Sequence, residues 1–153
     1  MVLLRRVVCA VLASVLGLAG AVVAGQQSAT AASGPIIAGL TPSSVTTAVG
    51  TRVTLVGSAT NTTSATQRIS MGISWPTTVN YGGAVGGNGC HPRHSGNLIY
   101  CGLNLTSGDT ATITLTVIPH VAGTSTLRSY ARITYTTDDT FAFSTITASS
   151  GRH

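Results

Sequence analysis

Sulfur and imidazole cluster at one place in this 153-residue chain, where Cys90, His91, His94 and Cys101 lie close together. As residue types they make a Cys2His2 set, the composition of a closed zinc site. Two features count against zinc. Adjacent Cys90 and His91 would both have to turn onto one ion, and Pro92 stiffens the turn between the histidines. In an oxidising compartment the same cysteines pair with each other, closing a loop of about a dozen residues that stabilises the fold by about 3 kcal/mol in the chain-entropy picture. The expectation is a Cys90–Cys101 disulfide, with no metal and no cofactor.

Acid-base chemistry is short of reagents. The chain has three acidic residues, Asp109, Asp138 and Asp139, and neither glutamate nor lysine. A carboxylate-pair hydrolase needs two placed acids. Asp109 follows Gly108 in a turn, where its side chain is expected to bond its own turn backbone. Asp138 and Asp139 are neighbours between two strands, so their side chains diverge at a solvated hairpin tip; weak calcium binding is the alternative reading there. Serines and His91, His94 and His120 supply parts of a triad, but no Gly-x-Ser-x-Gly elbow selects a nucleophile. The absence of lysine also removes the amine that an intramolecular isopeptide bond requires. The expectation is a non-catalytic protein.

Recognition is better supplied. Tyr81 and Tyr100 flank a glycine-rich loop and the cysteine pair, and His91, Arg93 and His94 lie between them. This set is the candidate binding surface: aromatic side chains with local positive charge, suited to an acidic wall polymer. The plainer reading is an irregular loop pinned by its bridge. Trp75, the one tryptophan, ends the apolar alternation Ile69, Met71, Ile73 and is expected to plug the core rather than to face a ligand.

Residues 1–31 read as a signal peptide: Arg5 and Arg6, then the uncharged run Val7 to Ala24, then small residues that permit cleavage after 24, 31 or 32. An uncleaved membrane helix is the alternative, since the run just reaches spanning length. Removing Arg5 and Arg6 leaves six arginines against three aspartates, a net charge of +3. Those arginines are scattered singly, unlike the patch of a nucleic-acid binder. Residues 25–34 form a flexible tether of Gln, Ser, Ala, Thr and Gly, of which 32–34 remain after cleavage at 31; 35–148 form the domain and 149–153 a tail. The tail, Ser149-Ser150-Gly151-Arg152-His153, has no Leu-Pro sorting motif or apolar span.

Within the domain the apolar period is two. Ala111, Ile113, Leu115 and Val117 alternate with Thr110, Thr112, Thr114 and Thr116, and Val53 to Ala59, Arg68 to Trp75 and Leu127 to Tyr135 repeat the pattern. Threonine and valine are stiff at χ1 and favour extended backbone. No helix is expected outside the signal. Turn residues at Gly50, Gly82-Gly83, Gly86 to Gly89, Gly108-Asp109, Gly123 and Asp138-Asp139 punctuate the strands. About seven short strands with one-sided alternation predict an all-β antiparallel sandwich preceded by a signal helix; a small closed barrel competes.

Several marks recur in a known order: Val49-Gly50-Thr51 before the first long strand, Asn61 at its end, Trp75-Pro76-Thr77, Cys90 and Cys101 around Leu98-Ile99-Tyr100, Leu105 to Ala111 with its Gly108-Asp109-Thr110 turn, and Ala122-Gly123-Thr124. From Val49 to Ala148 the chain resembles the bacterial surface-repeat domain known as domain of unknown function number eleven, an immunoglobulin-like β-sandwich. It departs from that pattern in having Asn61-Thr62-Thr63 where the family has Asn-x-Gly, and in offering one copy where the family often has several. The resemblance implies a secreted or cell-envelope module for spacing, adhesion or assembly, without catalysis. A soluble extracellular protein that binds a ligand through Tyr81 to Tyr100 is the second reading and a small hydrolase the third. The partners expected are a cell-wall polymer or an envelope protein, with no nucleic acid, no membrane once the signal is removed, and no specified oligomeric state.

Overall fold

A computed structural model describes residues 27–30 and 34–150. The signal segment and its helix lie outside the described residues. The threonine-spaced segment becomes β9 (Thr110–Pro119), in which Ala111, Ile113, Leu115 and Val117 are fully buried and the threonines between them are not. Its antiparallel neighbour β4 (Val53–Asn61) aligns Leu55 with Leu115 and Ala59 with Ala111, so the apolar sides of both strands fall on one face. Fully burying a Leu or Ile side chain contributes about 1.5–3 kcal/mol, and this face supplies several.

Two sheets stack on that principle. One has the order β1-β2-β4-β9-β6, adding β1 (Ala29–Thr30), β2 (Ile36–Thr41) and β6 (Val79–Gly87). The other has the order β3-β11-β10-β5-β8-β7, from β3 (Ser44–Ala48), β5 (Gln67–Ser74), β7 (Arg93–Ser95), β8 (Leu98–Leu105), β10 (Gly123–Ile133) and β11 (Thr140–Ser149). Leu40, Leu55, Ile113 and Leu115 from the first sheet and Ile69, Met71, Ile73, Ile99, Leu127 and Ile146 from the second are completely enclosed. The fold is an all-β sandwich of two separate sheets, not a closed barrel.

Among the described residues, eleven strands replace the seven or so expected. Part of the excess comes from the first half of the domain. The chain leaves the first sheet after Thr41, turns through Pro42-Ser43 and joins the second as β3, which pairs in parallel with β11. Sheet-switching of this kind makes two short strands where one run of sequence lacks a clean alternation. The parallel pair also qualifies the expectation of a purely antiparallel sandwich.

The tether reading needs correction where it can be seen. Ala29 and Thr30 pair with Leu40 and Gly39, the Ser28 hydroxyl accepts from the Thr41 hydroxyl at 2.8 Å, and the Ser43 amide donates to the Gln27 carbonyl at 2.7 Å. A small polar composition without periodicity cannot announce a two-residue edge strand. At the other end, β11 runs on to Ser149, whose partner is Ala48.

Asn61 closes the end of β4. Fully enclosed, its amide donates to the carbonyls of Ala65 and Leu105, both at 2.8 Å, while its oxygen accepts from the Thr63 amide and hydroxyl. The carboxylate of Asp109 takes the Thr106 hydroxyl within its turn, in place of the backbone bond expected for it.

Candidate functional site

The glycine-rich segment between Tyr81 and Tyr100 is largely strand, which corrects its reading as a loop. Strand β6 crosses it along the edge of the first sheet, with a bulge between Tyr81 and Gly83. Glycine is required there by proximity: a Cβ on Gly82 would lie 3.0 Å from the Thr116 carbonyl oxygen, and one on Gly87 would lie 2.6 Å from the Thr112 hydroxyl. Glycine signals a turn in isolation, and here it marks a strand lying close against its neighbour. The segment does turn at Gly87-Asn88-Gly89-Cys90, where both central residues have positive φ as in a type I′ turn. The Cys90 amide donates to the Gly87 carbonyl at 3.3 Å, and the Asn88 amide side chain to the Thr110 carbonyl at 2.9 Å.

This turn carries the chain from the first sheet to the second, and the disulfide fixes the landing. Cys90 and Cys101 are bonded, with Cα atoms 5.7 Å apart and both side chains buried. Cys101 faces inward from β8 opposite Met71, so the bridge ties the crossover to the core. Among the described residues no group of His, Cys, Asp and Glu is placed to hold a metal ion.

The five recognition residues separate into two sets. Arg93 and Ser95 point out from β7, with His94 between them turned to the other side. His94 stacks on Tyr81 with ring centroids 4.1 Å apart, and both rings stack on Trp75 at 5.8 and 5.7 Å, all three planes within 13° of parallel. Trp75 is buried, as expected of a core residue, and forms the base of this stack. Tyr81 from the edge of one sheet and His94 from the edge of the other thus cover the gap where the layers part. Stacked aromatic pairs contribute about 0.5–1.5 kcal/mol each beyond their burial.

His91, Arg93 and Tyr100 instead line a groove of about 350 Å³ on the outward side of the second sheet. Strand pairing extends this site beyond what the sequence suggests. Phe141, Tyr130, Gly72, Tyr100 and Arg93 occupy one row across five strands, β11, β10, β5, β8 and β7. Gly72 is buried beneath its neighbours: a Cβ there would lie 2.7 Å from Tyr130 Cε1 and 3.1 Å from Tyr100 Cβ. Two tyrosines therefore crowd a glycine and form an aromatic floor. Beside it, a second groove of about 330 Å³ is walled by Arg128, Arg132 and Phe141. The Arg128 guanidinium lies 4.9 Å over the Phe141 ring, a cation–π contact.

The missed residues, Arg128, Tyr130, Arg132 and Phe141, lie some thirty to forty positions beyond Tyr100 in the chain. Only cross-strand register brings them together, although the outward alternation of Arg128 and Arg132 was visible. Asp139 meets Arg132 at 3.7 Å, so the hairpin-tip aspartates separate in role, with Asp138 lining a different, mainly apolar cavity beside Ile36 and Ile133. Tyr135, expected to continue the inward alternation of β10, leaves the strand with φ 73° and is 91% exposed, because the chain turns after Ile133.

No protein-family model matches this chain, and no curated protein matches it. Solved structures match through shape. A CaCohA2 complex aligns with a TM-score of 0.50 at 14% identity, over 69% of this chain and 95% of that one. A non-cellulosomal cohesin from the archaeon Archaeoglobus fulgidus aligns at 0.46 with 14% identity, over 70% and 87% of the two chains. The collagen-binding domain of a Staphylococcus aureus adhesin aligns at 0.42 with 8% identity, over 61% and 87%. At these identities the likeness is one of fold.

Proposed function

We propose that this chain is a non-catalytic secreted or cell-envelope module that holds a structural or adhesive contact, built on one surface-repeat-like sandwich. The observation that carries the reading is the outward face of the six-stranded sheet, where a row of three aromatic side chains, Gly72 and Arg93 spans five strands with Arg128 and Arg132 beside it. Such a face is suited to broad, shallow contact, whereas catalysis calls for convergent titratable groups in a water-excluding pocket. The disulfide supports an extracytoplasmic setting, where such bonds persist. No helix among the described residues is long and apolar enough to cross a membrane.

The test is fractionation of producing cells followed by binding of the purified, processed protein to washed envelopes. The module reading expects export and saturable retention on envelopes that is lost when the sheet face is altered. A protein that stays in the cytoplasm, or that washes from envelopes with the same profile as an unrelated sandwich of equal charge, would overturn it. Export with no envelope retention favours the soluble ligand-binding reading.

A further inference from the structure

The two outward faces of the sandwich differ sharply in charge. The five strands of the first sheet contain no charged residue, and their outward positions are chiefly threonine, serine and glycine. The second sheet holds Arg68, Arg93, Arg128 and Arg132, each exposed and alternating with residues turned inward. Against them stands one acid, Asp139, beside Arg132. Among the described residues, Arg68, Arg93 and Arg128 have no carboxylate within salt-bridge distance. Four of the five arginines among the described residues lie on this one face, which also carries the aromatic row.

From this combination we propose that the outward face of the six-stranded sheet binds a carboxylated polysaccharide. The proposal rests on the binding-module reading above and names its ligand class. Two chemical requirements converge here. Guanidinium forks pair with carboxylates in a bidentate geometry, and Arg128, seated over the Phe141 ring with no carboxylate partner among the described residues, is available for this. Tyr100 and Tyr130, crowded around Gly72, offer ring faces and hydroxyls, apolar in body and polar at the tip, to a sugar ring laid across them. The two grooves lie on either side of this floor, one walled by Arg128, Arg132 and the Arg132-paired Asp139, the other by Arg93 and His91, so the unpaired Arg128 and Arg93 are the cations free to meet a carboxylate. Five strands at about 4.8 Å spacing make a path about 19 Å long, enough for several linked rings with a cation near each end. A folded acidic protein would need a complementary relief, which a flat sheet face with shallow grooves does not offer. Duplex nucleic acid would need more phosphate contacts than these separated arginines can make.

The test measures binding of the full secreted chain to three soluble probes: polygalacturonate, its fully methyl-esterified form, and polyglutamate. The first has rings and charge, the second rings alone, the third charge alone. Polygalacturonate is expected to bind at least about tenfold more tightly than either control, and R128Q or Y130A to weaken it about tenfold, the loss expected when one charge-assisted contact or ring platform goes. R93Q, on the short exposed edge strand, serves as a second charge variant should a central one destabilise the sheet, and T114A on the opposite face should bind as the parent does. Circular dichroism confirms that each compared variant is folded. Equal affinity for polyglutamate would overturn the proposal in favour of an acidic protein partner, and equal affinity for the methyl ester would remove the role of the arginines. No binding to polygalacturonate, with envelope retention intact and abolished by protease treatment of the envelopes, would overturn this ligand class while leaving the module reading standing.

Discussion

Gly72 and Gly102 lie one row apart on the same sheet face, in the paired strands β5 and β8, and the same substitution should have opposite effects at the two positions. At Gly72 an added methyl carbon would sit 2.6 Å from the Ile99 carbonyl oxygen, 2.7 Å from Tyr130 Cε1 and 3.1 Å from Tyr100 Cβ. The Ile99 oxygen belongs to the backbone of a paired strand and cannot swing aside. Overpacking of this kind costs about 1–3 kcal/mol, partly offset by the 0.4–1 kcal/mol gained when alanine narrows the unfolded ensemble. At Gly102 the nearest atom to the new Cβ is the Ile69 oxygen at 3.6 Å, an ordinary contact, so only the gain remains. Gly72→Ala should therefore lose about 1–2 kcal/mol and Gly102→Ala should gain up to about 1. For a domain of this size that separates the two melting temperatures by about 5–12 °C. Urea titrations with thermal melts would measure it, with an unchanged m-value showing that both proteins unfold from the same compact state. If Gly72→Ala proves as stable as Gly102→Ala, the tyrosines do not close over Gly72 and the aromatic floor is not built as described.

Reduction of the Cys90–Cys101 bond, whose cysteines are 11 positions apart, should lower the unfolding free energy by about 3 kcal/mol, measured by urea titration with and without reductant; a loss below about 1 kcal/mol would show that the crossover is held without it. Ser129→Ala should raise stability by about 1 kcal/mol, because the Ser129 hydroxyl is fully buried with no hydrogen-bond partner; a fall in melting temperature would reveal a partner. A chain that begins after Ala31 should be less stable than one that begins after Ala24 by about 1–3 kcal/mol, since it lacks β1 and the bonds that Gln27 and Ser28 accept from Ser43 and Thr41. We accordingly expect sequencing of the exported protein to find cleavage after Ala24, and a start after 31 or 32 would contradict this. Asn61→Ala should cost about 2–3 kcal/mol by stranding the Ala65 and Leu105 carbonyls, measured by thermal unfolding.

The layered fold was legible because threonine and apolar residues alternate so regularly. In β9 each position declares its side of the sheet, and β4, β5 and β10 repeat the rule. The disulfide was legible from redox setting and composition. What escaped was information held between strands. Nothing local places Phe141 and Tyr130 in line with Tyr100, and nothing local sets the His94 ring against Tyr81 and Trp75. Local patterning also misjudged glycine, which punctuates a chain read alone but permits close strand approach once a neighbour such as Thr116 is present. Tyr135 obeyed the numerical alternation and left the strand all the same, since a turn takes hold two residues earlier.

The borders of the two sheets show how a chain without lysine avoids recruiting copies of itself. Natural sheets commonly guard their outermost strands with lysine. Here β6 is kinked by its Tyr81–Gly83 irregularity, β7 is three residues long and carries Arg93, and β1 is shorter still. Each leaves little straight, unpaired backbone for an incoming segment to zip against. Straightening β6 by removing the extra residue would create a long, uncharged ledge of amides and carbonyls, and a protein of this composition would then have little electrostatic repulsion to keep neighbouring molecules from growing into fibres.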